Sequence, residues 1–452
     1  MRLRKTITTI VATAILLAGW QLFAVIANQP ELIPSLPRLV RTLCEWLVSG
    51  SFYQSVGATI LRGVLGMSIS FVCAIGMAGL FARFEWVYEL FRPLLAIMRS
   101  IPVISFILLA LIFLNPESIP LMIAFLTMFP LLTENLTRGI LDLRPGLSIM
   151  ARQFHIKRSN VLFQIIYPQL KPFLYSGLAS AAGFGWRAII MGEVLSQCAF
   201  GIGSEMKRAQ NFIAVPELLA WTIVAVFISF FFDKGISKVA DITPKISFAN
   251  EDQTIPTPTL SVLDTKDISY QYGIQHFSHS FQKGIIYGIS APSGKGKTTL
   301  LNLIGGILLP TEGEIHPTRH FGIATIFQQP QLLPHLTAEE NIILPLSSFL
   351  TEEKARRIAQ KHLQEMGMEP FGNRYPKELS YGQQQRIAIA RALAYPSPLL
   401  LMDEPFKGLD EALSHRIIER IREKQMKEER IILFTSHNPD EIRLLADEVI
   451  YL

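Results

Sequence analysis

Charged residues are scarce. Asp, Glu, Lys and Arg make up 17% of the 452 residues, against about 25% in soluble globular domains. That shortage argues against an ordinary soluble enzyme. Cysteine is scarcer still. Cys44, Cys73 and Cys198 have no metal-binding or redox spacing, so neither a disulfide framework nor a zinc site is expected. Disorder is excluded from the other side, because 50% of the residues are hydrophobic and such a chain can bury a large core. The formal net charge is only +5, and acidic residues are what the first part of the chain lacks. Residues 1–250 hold 21 Lys+Arg against 12 Asp+Glu, whereas residues 251–452 hold 21 against 25. The positive excess lies among hydrophobic segments, so no nucleic-acid partner is implied.

Long apolar runs fill the first part. Six are long enough to cross about 30 Å of hydrocarbon: residues 7–27, 58–82, 90–114, 119–137, 173–196 and 213–232. The first follows a basic start (Arg2, Arg4, Lys5) like that of a signal peptide. Trp20, Gln21 and Phe23 offer no small-residue cleavage site, so it is read as a span. Arg83, Arg92, Arg138, Arg144, Arg152, Lys157, Arg158, Lys171, Lys234 and Lys238 fall with the N-terminus on one side of a six-span arrangement. The positive-inside rule makes that side cytoplasmic. Arg187 and Glu193 lie inside the fifth run, where charges usually face a bundle interior or an aqueous path.

The basic loop between the fourth and fifth runs, about residues 138–172, carries Ala151, Ile165 and Pro168 at the spacing of a cytoplasmic loop found in permease subunits of bacterial ABC importers. Ile149, Met150, His155 and Tyr167 depart from that pattern. Arg99 to Pro102, Trp186-Arg187, Gly192-Glu193 and Gly201 to Gly203 add to the likeness. Residues 55–235 resemble the nitrate, sulfonate and taurine branch of importer permeases, which also includes transporters of thiamine-precursor pyrimidines. The resemblance implies that the loop couples the spans to an ATPase.

Residues 242–258 are rich in Pro, Thr and acidic side chains and read as a tether. Beyond it the pattern is that of an α/β domain, with strand-like runs at Leu260–Leu263, Leu399–Met402 and Ile431–Thr435. A strand enters and a helix leaves a turn containing Ser293, Gly294, Lys295, Gly296, Lys297, Thr298 and Thr299, a phosphate-binding loop except for Ala291 at its first glycine position. Such a loop points backbone N–H groups and a helix N-terminus at phosphates. Lys297 then reaches the outer phosphates and Thr298 holds Mg²⁺. The strand ending at Asp403-Glu404 supplies a second Mg²⁺-binding group and a carboxylate to polarise water.

Further motifs follow in a fixed order. Leu379 to Gln383 is similar to the ABC signature, with Tyr381 in place of its first glycine. Gly408 to Asp410 matches the D-loop, His437 the switch histidine and Gln328 the glutamine loop. On these residues the second part is identified as an ABC transporter ATPase domain. The resemblance implies ATP and Mg²⁺ as cofactors, with Glu404, His437 and Gln328 catalytic and Thr298, Gln328 and Asp403 near the metal. Nucleotide contacts fall to the turn residues, to Ser380, Gly382, Gln383 and Asp410, and to Tyr272 as the adenine-stacking aromatic, with Tyr270 its rival.

The fold expected is multidomain: an all-α six-helix transmembrane domain (1–241), a linker (242–258) and an α/β P-loop ABC ATPase domain (259–452). An ABC site uses Lys297 of one domain and Ser380 of another, so a homodimer is expected, multi-pass in a bacterial inner membrane with its ATPase domain cytoplasmic. The expected activity is import of a small solute, delivered by a separate extracytoplasmic solute-binding protein. The alternatives are a half-exporter, or a membrane-anchored ATPase that transmits force or signal without transport.

Overall fold

The computed structural model describes residues 2–240, 244–253, 260–271, 273–292, 294–317 and 322–452. The chain divides into two compact units. One comprises Met1–Leu143 and Gln169–Thr243, the other Arg144–Pro168 and Pro244–Leu452.

The first unit is helical. Its helices are α1 (Arg2–Ala27), α2 (Leu36–Trp46), α3 (Gly50–Arg83), α4 (Glu85–Ser100), α5 (Val103–Phe113) and α6 (Ile119–Leu141). The chain then enters α7 (Pro145–Gln153) and α8 (Arg158–Asn160), which belong to the second unit, and continues into α9 (Tyr167–Ser196), α10 (Ile202–Asn211) and α11 (Val215–Ala240). Among the described residues, four helical stretches can cross a membrane by length and composition: Gly50–Arg83, Pro116–Leu141, Arg158–Ser196 and Val215–Lys238. The described apolar part of α1 is Val11–Ala27. The third expected span, 90–114, is not one straight helix. It is the pair α4 and α5, bent by 94°. Pro102 lacks an N–H and drives Ile101 into extended backbone at φ −70°, ψ 129°, so the helix ends there.

Small residues let the helices approach. The buried face of α3 is Ser55, Thr59, Gly63, Gly66, Ser70, Ala74 and Ala78, a stripe that permits close helix packing where lipid offers no hydrophobic drive. Glu193 is fully buried. Its carboxylate accepts from Thr59 Oγ1 at 2.9 Å, from Arg62 Nη1 at 2.7 Å and from the Gly203 N–H at 2.9 Å. Arg62 also donates to Glu117 at 2.7 Å and to the Phe200 carbonyl at 2.8 Å. These bonds tie α3, α9 and the start of α10 together. Arg187, the other charge in this run, is exposed on α9.

The second unit is α/β. A five-stranded parallel sheet runs in the order β5-β6-β7-β3-β8, and a three-stranded antiparallel sheet in the order β2-β1-β4. The strands are β1 (Val262–Tyr270), β2 (Ile274–Gln282), β3 (Ile286–Ser290), β4 (Glu312–His316), β5 (Ala324–Ile326), β6 (Leu399–Asp403), β7 (Ile431–Thr435) and β8 (Glu448–Tyr451). The helices are α12 (Lys297–Ile304), α13 (Ala338–Leu346), α14 (Glu352–Glu365), α15 (Tyr381–Ala394), α16 (Glu411–Glu428) and α17 (Pro439–Leu445). Strands β6 and β7 are buried along their whole length, which is why they read as unbroken apolar runs.

Two pieces outside the sheets complete this unit. Leu147, Met150, Ala151, Phe154, Ile156 and Ile165 of the 144–168 segment belong to the same hydrophobic cluster as Ile326, Leu333, Ile343 and Ile389. Residues 244–253, part of the expected tether, bond to this unit. The Ala249 N–H donates to the Ser347 carbonyl at 3.0 Å and the Gln253 N–H to the Phe349 carbonyl at 2.8 Å. The rest of the expected tether, residues 242–243 and 254–258, lies outside the described residues.

Candidate nucleotide site

Parallel strands place their C-terminal ends together, and side chains that end neighbouring strands meet there. Asp403 closes β6 and Thr435 closes β7, and the two are register partners. Thr435 Oγ1 donates to Asp403 Oδ1 at 2.8 Å, and Thr298 Oγ1, in the first turn of α12, donates to Asp403 Oδ2 at 2.9 Å. Burial pushes the Asp403 carboxyl above its ordinary range, against the hydrogen bonds from Thr435 and Thr298, with the Glu404 charge adding to the rise.

Lys297 is buried. Its Nζ donates to the Ala291 carbonyl at 2.7 Å and lies 3.2 Å from His437 Nδ1. An ammonium group only donates, so Nδ1 is the acceptor and the ring proton sits on Nε2. That nitrogen is 3.1 Å from Glu404 Oε1. Glu404 also pairs with Lys407 at 3.2 Å. Burial raises its carboxyl, but the bonds from Lys407 and Gln328 and the charge of Lys407 outweigh burial and hold it below the usual range. Glu404 has φ +48°, a costly region for a residue with a Cβ. Its N–H is held by Thr435 Oγ1 at 3.1 Å.

The turn itself is a cradle. Gly296 has φ +90°, and a Cβ there would lie 2.8 Å from the Gly273 carbonyl oxygen. Only glycine fits there, at the turn that leads into the N-terminus of α12. Lys295 is exposed beside it and Thr299 half-buried. Ser293 and Tyr272 lie outside the described residues. Lys297, Thr298, Gln328, Asp403, Glu404 and His437 thus converge. Ser380 and Asp410 instead bond within their own helix starts. Ser380 Oγ accepts from the Gln383 N–H at 3.3 Å, and Asp410 Oδ1 from the Leu413 N–H at 2.9 Å.

Comparison with known proteins covers both units. A family model described as ABC transporter matches residues 274–407. One described as binding-protein-dependent transport system inner membrane component matches residues 68–233. The dimeric post-hydrolysis structure of an ATP-binding cassette bound to ADP and Pi is 31% identical, with a TM-score of 0.40 over 42% of this chain and 94% of that one. An Fe(3+) ions import ATP-binding protein of Rhizobium etli is 36% identical over 189 residues, 40% of this chain and 54% of that protein. Its counterpart from Brucella abortus is 35% identical over 198 residues, 42% and 56% respectively. The chain spans about half the length of these iron-import relatives. A thiamine import ATP-binding protein of Yersinia pseudotuberculosis is 35% identical over 205 residues, 42% of this chain and 86% of that protein. The chain belongs to the ABC transporter family.

In this ABC transporter the permease-type loop reaches the edge of the nucleotide site. A cavity of about 290 Å³ is lined by Gly146 and Ile149 of α7 together with Thr298, Gln328, Gln331 and Asp403. Gly146 is packed so closely that a Cβ would lie 2.6 Å from Gln331 Oε1. Phe154 is fully buried, edge-on to Tyr395 at 5.1 Å and under the Arg391 guanidinium at 5.5 Å. Arg391 donates to the carbonyls of Pro330 and Gln331, both at 2.8 Å. Burial pulls its guanidinium down to about 10.

Sequence reasoning missed Thr435, Lys407, Gln331 and Arg391. Thr435 was within reach: it ends the run Ile431–Thr435, two residues before His437. The other three carry no motif of their own, and only the fold brings them to the site.

Proposed function

We propose that this protein is an ATP-driven importer working as a homodimer in a bacterial inner membrane, with its cassettes in the cytoplasm. A separate extracytoplasmic binding protein would deliver a small solute of the nitrate, sulfonate and taurine or thiamine-pyrimidine type. The observation that carries this reading is the docking of the permease-type segment 144–168 into the core of the ATPase unit.

The residues fit ATP and Mg²⁺. Lys297 and the N–H groups of residues 294–299 would hold the phosphates, and Thr298, Asp403 and Gln328 would hold the metal. When bound, Mg²⁺ neutralises phosphate charge. Glu404 would take a proton from the attacking water and His437, protonated on Nε2, would orient it. Ser380, Gly382 and Gln383 of one subunit would close on the nucleotide held by the other. Gly146 against Gln331 gives that closure a route to the spans.

Proteoliposomes test the proposal. ATP hydrolysis is expected to rise when the cognate binding protein is added with its solute, and solute is expected to accumulate inside vesicles that enclose the cassettes and ATP and meet the loaded binding protein from outside. Hydrolysis indifferent to every binding protein encoded beside this chain would overturn the importer reading. Identifying the ligand that copurifies with that binding protein would name the solute.

A further inference from the structure

Asn160 sits at a junction. It is 1% exposed, and its amide is fully used. Nδ2 donates to the Ser247 carbonyl and to Ser347 Oγ, each at 2.8 Å, and Oδ1 accepts from the Ser247 N–H at 2.8 Å. This two-way pairing with the Ser247 backbone copies the exchange between neighbouring strands. Gln164, also buried, donates to the Pro244 carbonyl at 3.0 Å. On the other side residues 244–253 are bonded to the cassette through Ser347 and Phe349. Asp252 Oδ1 accepts from the Thr351 N–H at 2.9 Å and from its hydroxyl at 3.0 Å, capping α14. Ile246 and Phe248 pack against the same hydrophobic cluster that holds Phe154.

A tether needs none of this. A free linker keeps its backbone in water and its side chains unpaired. Here the linker is sandwiched between the 144–168 segment and the start of α14, and each face is matched by specific donors and acceptors. We infer that residues 244–253 are a strap, with Asn160 as its positioning residue, that commits the coupling segment to the cassette of its own chain. The coupling segment and the cassette then move as one body through the nucleotide cycle. The alternative in a homodimer, docking on the partner's cassette, would leave Asn160 and Gln164 facing another chain's linker. This inference rests on the transporter reading only for what the docked segment does. Its test uses neither ATP nor solute, so its failure and the failure of that reading are separate results.

The test uses the full chain in lipid nanodiscs. Hydrogen exchange over residues 244–253 is expected to be strongly protected, because the N–H groups of Ser247, Ala249 and Gln253 are bonded. Asn160→Ala removes three bonds and should speed exchange about tenfold or more across 244–249. Asp252→Ala, at an exposed position with no folding risk, should speed it about threefold near Gln253. Exchange at free-chain rates in the wild type, or no change in either variant, would overturn the strap. A disulfide then tests which chain is docked. The Lys157 N–H donates to Ser348 Oγ at 2.9 Å, so Lys157→Cys with Ser348→Cys, in a chain with Cys44, Cys73 and Cys198 replaced, should crosslink within one chain. A dimer-sized band, or none at all, would refute own-chain docking.

Discussion

Glu193 in the helical unit and Glu404 in the α/β unit are both carboxylates set beside basic groups, yet they are built for opposite ends. The Glu193 side chain is wholly inaccessible and meets an arginine, a threonine hydroxyl and a backbone N–H. Both of its oxygens are bonded and neither is open to solvent. Glu404 keeps 16% of its side chain exposed, sits at positive φ, and meets a lysine and a histidine nitrogen from one side. Its environment favours the ionised form without covering it. An inaccessible carboxylate bonded on both oxygens braces helices; the strained, half-open one is the group we propose to accept a proton.

The largest expected effect comes from breaking the second of these. Glu404→Gln should keep the fold and lower phosphate release from ATP by about 10²–10⁴-fold, the usual range for a lost general base. A variant that hydrolyses ATP at a tenth of the wild-type rate or faster would show that another group does the work. Breaking the first should do the reverse. Glu193→Ala leaves Arg62 without its buried partner and should destabilise the helical unit by about 3–5 kcal/mol. Thermal unfolding of the full chain in nanodiscs reads this directly. Loss of ATP hydrolysis with unchanged unfolding would contradict the brace.

A third expectation separates acid sensitivity from catalysis. His362, buried on α14, is pushed down to about 3 by burial and by the charges of Lys424, Lys361 and Arg430. Lys424 Nζ lies 3.4 Å from Nε2, so Nε2 accepts, and Glu365 Oε2 lies 2.8 Å from Nδ1 without closing a hydrogen bond. Burial and three cations outweigh that single carboxylate. In the unfolded chain this ring protonates near its ordinary value of 6.5, so the unfolded state binds the extra proton between the two values. Stability is complete above pH 6.5 and falls as pH drops toward 3. Cooling of the unfolding midpoint between pH 7.5 and 5.5 should correspond to about 1–1.5 kcal/mol. It should shrink in His362→Gln; an identical shift in that variant would place the sensitivity elsewhere.

The same contrast sets what could be read from the sequence. Signals carried by neighbouring residues came through. The phosphate-binding turn, the Asp403-Glu404 strand end and the buried strands at 399–403 and 431–435 are local patterns, and the structure places elements there. The break at Ile101-Pro102 was visible as a proline but was passed over, because apolar content continues across it and a window average does not register a bend. Glu193 was recognised as an intramembrane charge, yet its partners lie 134 and 131 residues away at Thr59 and Arg62. No periodicity links such positions. The strap is the clearest case. Proline, threonine and acidic residues mark a chain without its own core, and they say nothing about a groove elsewhere that holds it.

Tyr381 sharpens the comparison at its smallest scale. It stands where the ABC signature has a glycine, its ring lies against Gly408, and its hydroxyl donates to the Gln328 carbonyl at 2.8 Å. One partly exposed bond therefore joins the start of α15, where Ser380 and Gly382 sit, to the residue that donates to Glu404. Unlike the Glu193 network it adds little to stability, since a single exposed hydrogen bond contributes about 1 kcal/mol at most. Its effect should show in turnover. Tyr381→Phe keeps the ring and loses only the hydroxyl. The expected outcome is a fall in kcat of about fivefold, with KM for ATP and the unfolding midpoint unchanged, because Lys297 and the turn are untouched. A shifted midpoint with wild-type kcat would make Tyr381 a packing residue, and Arg391 would then hold the glutamine loop without its help.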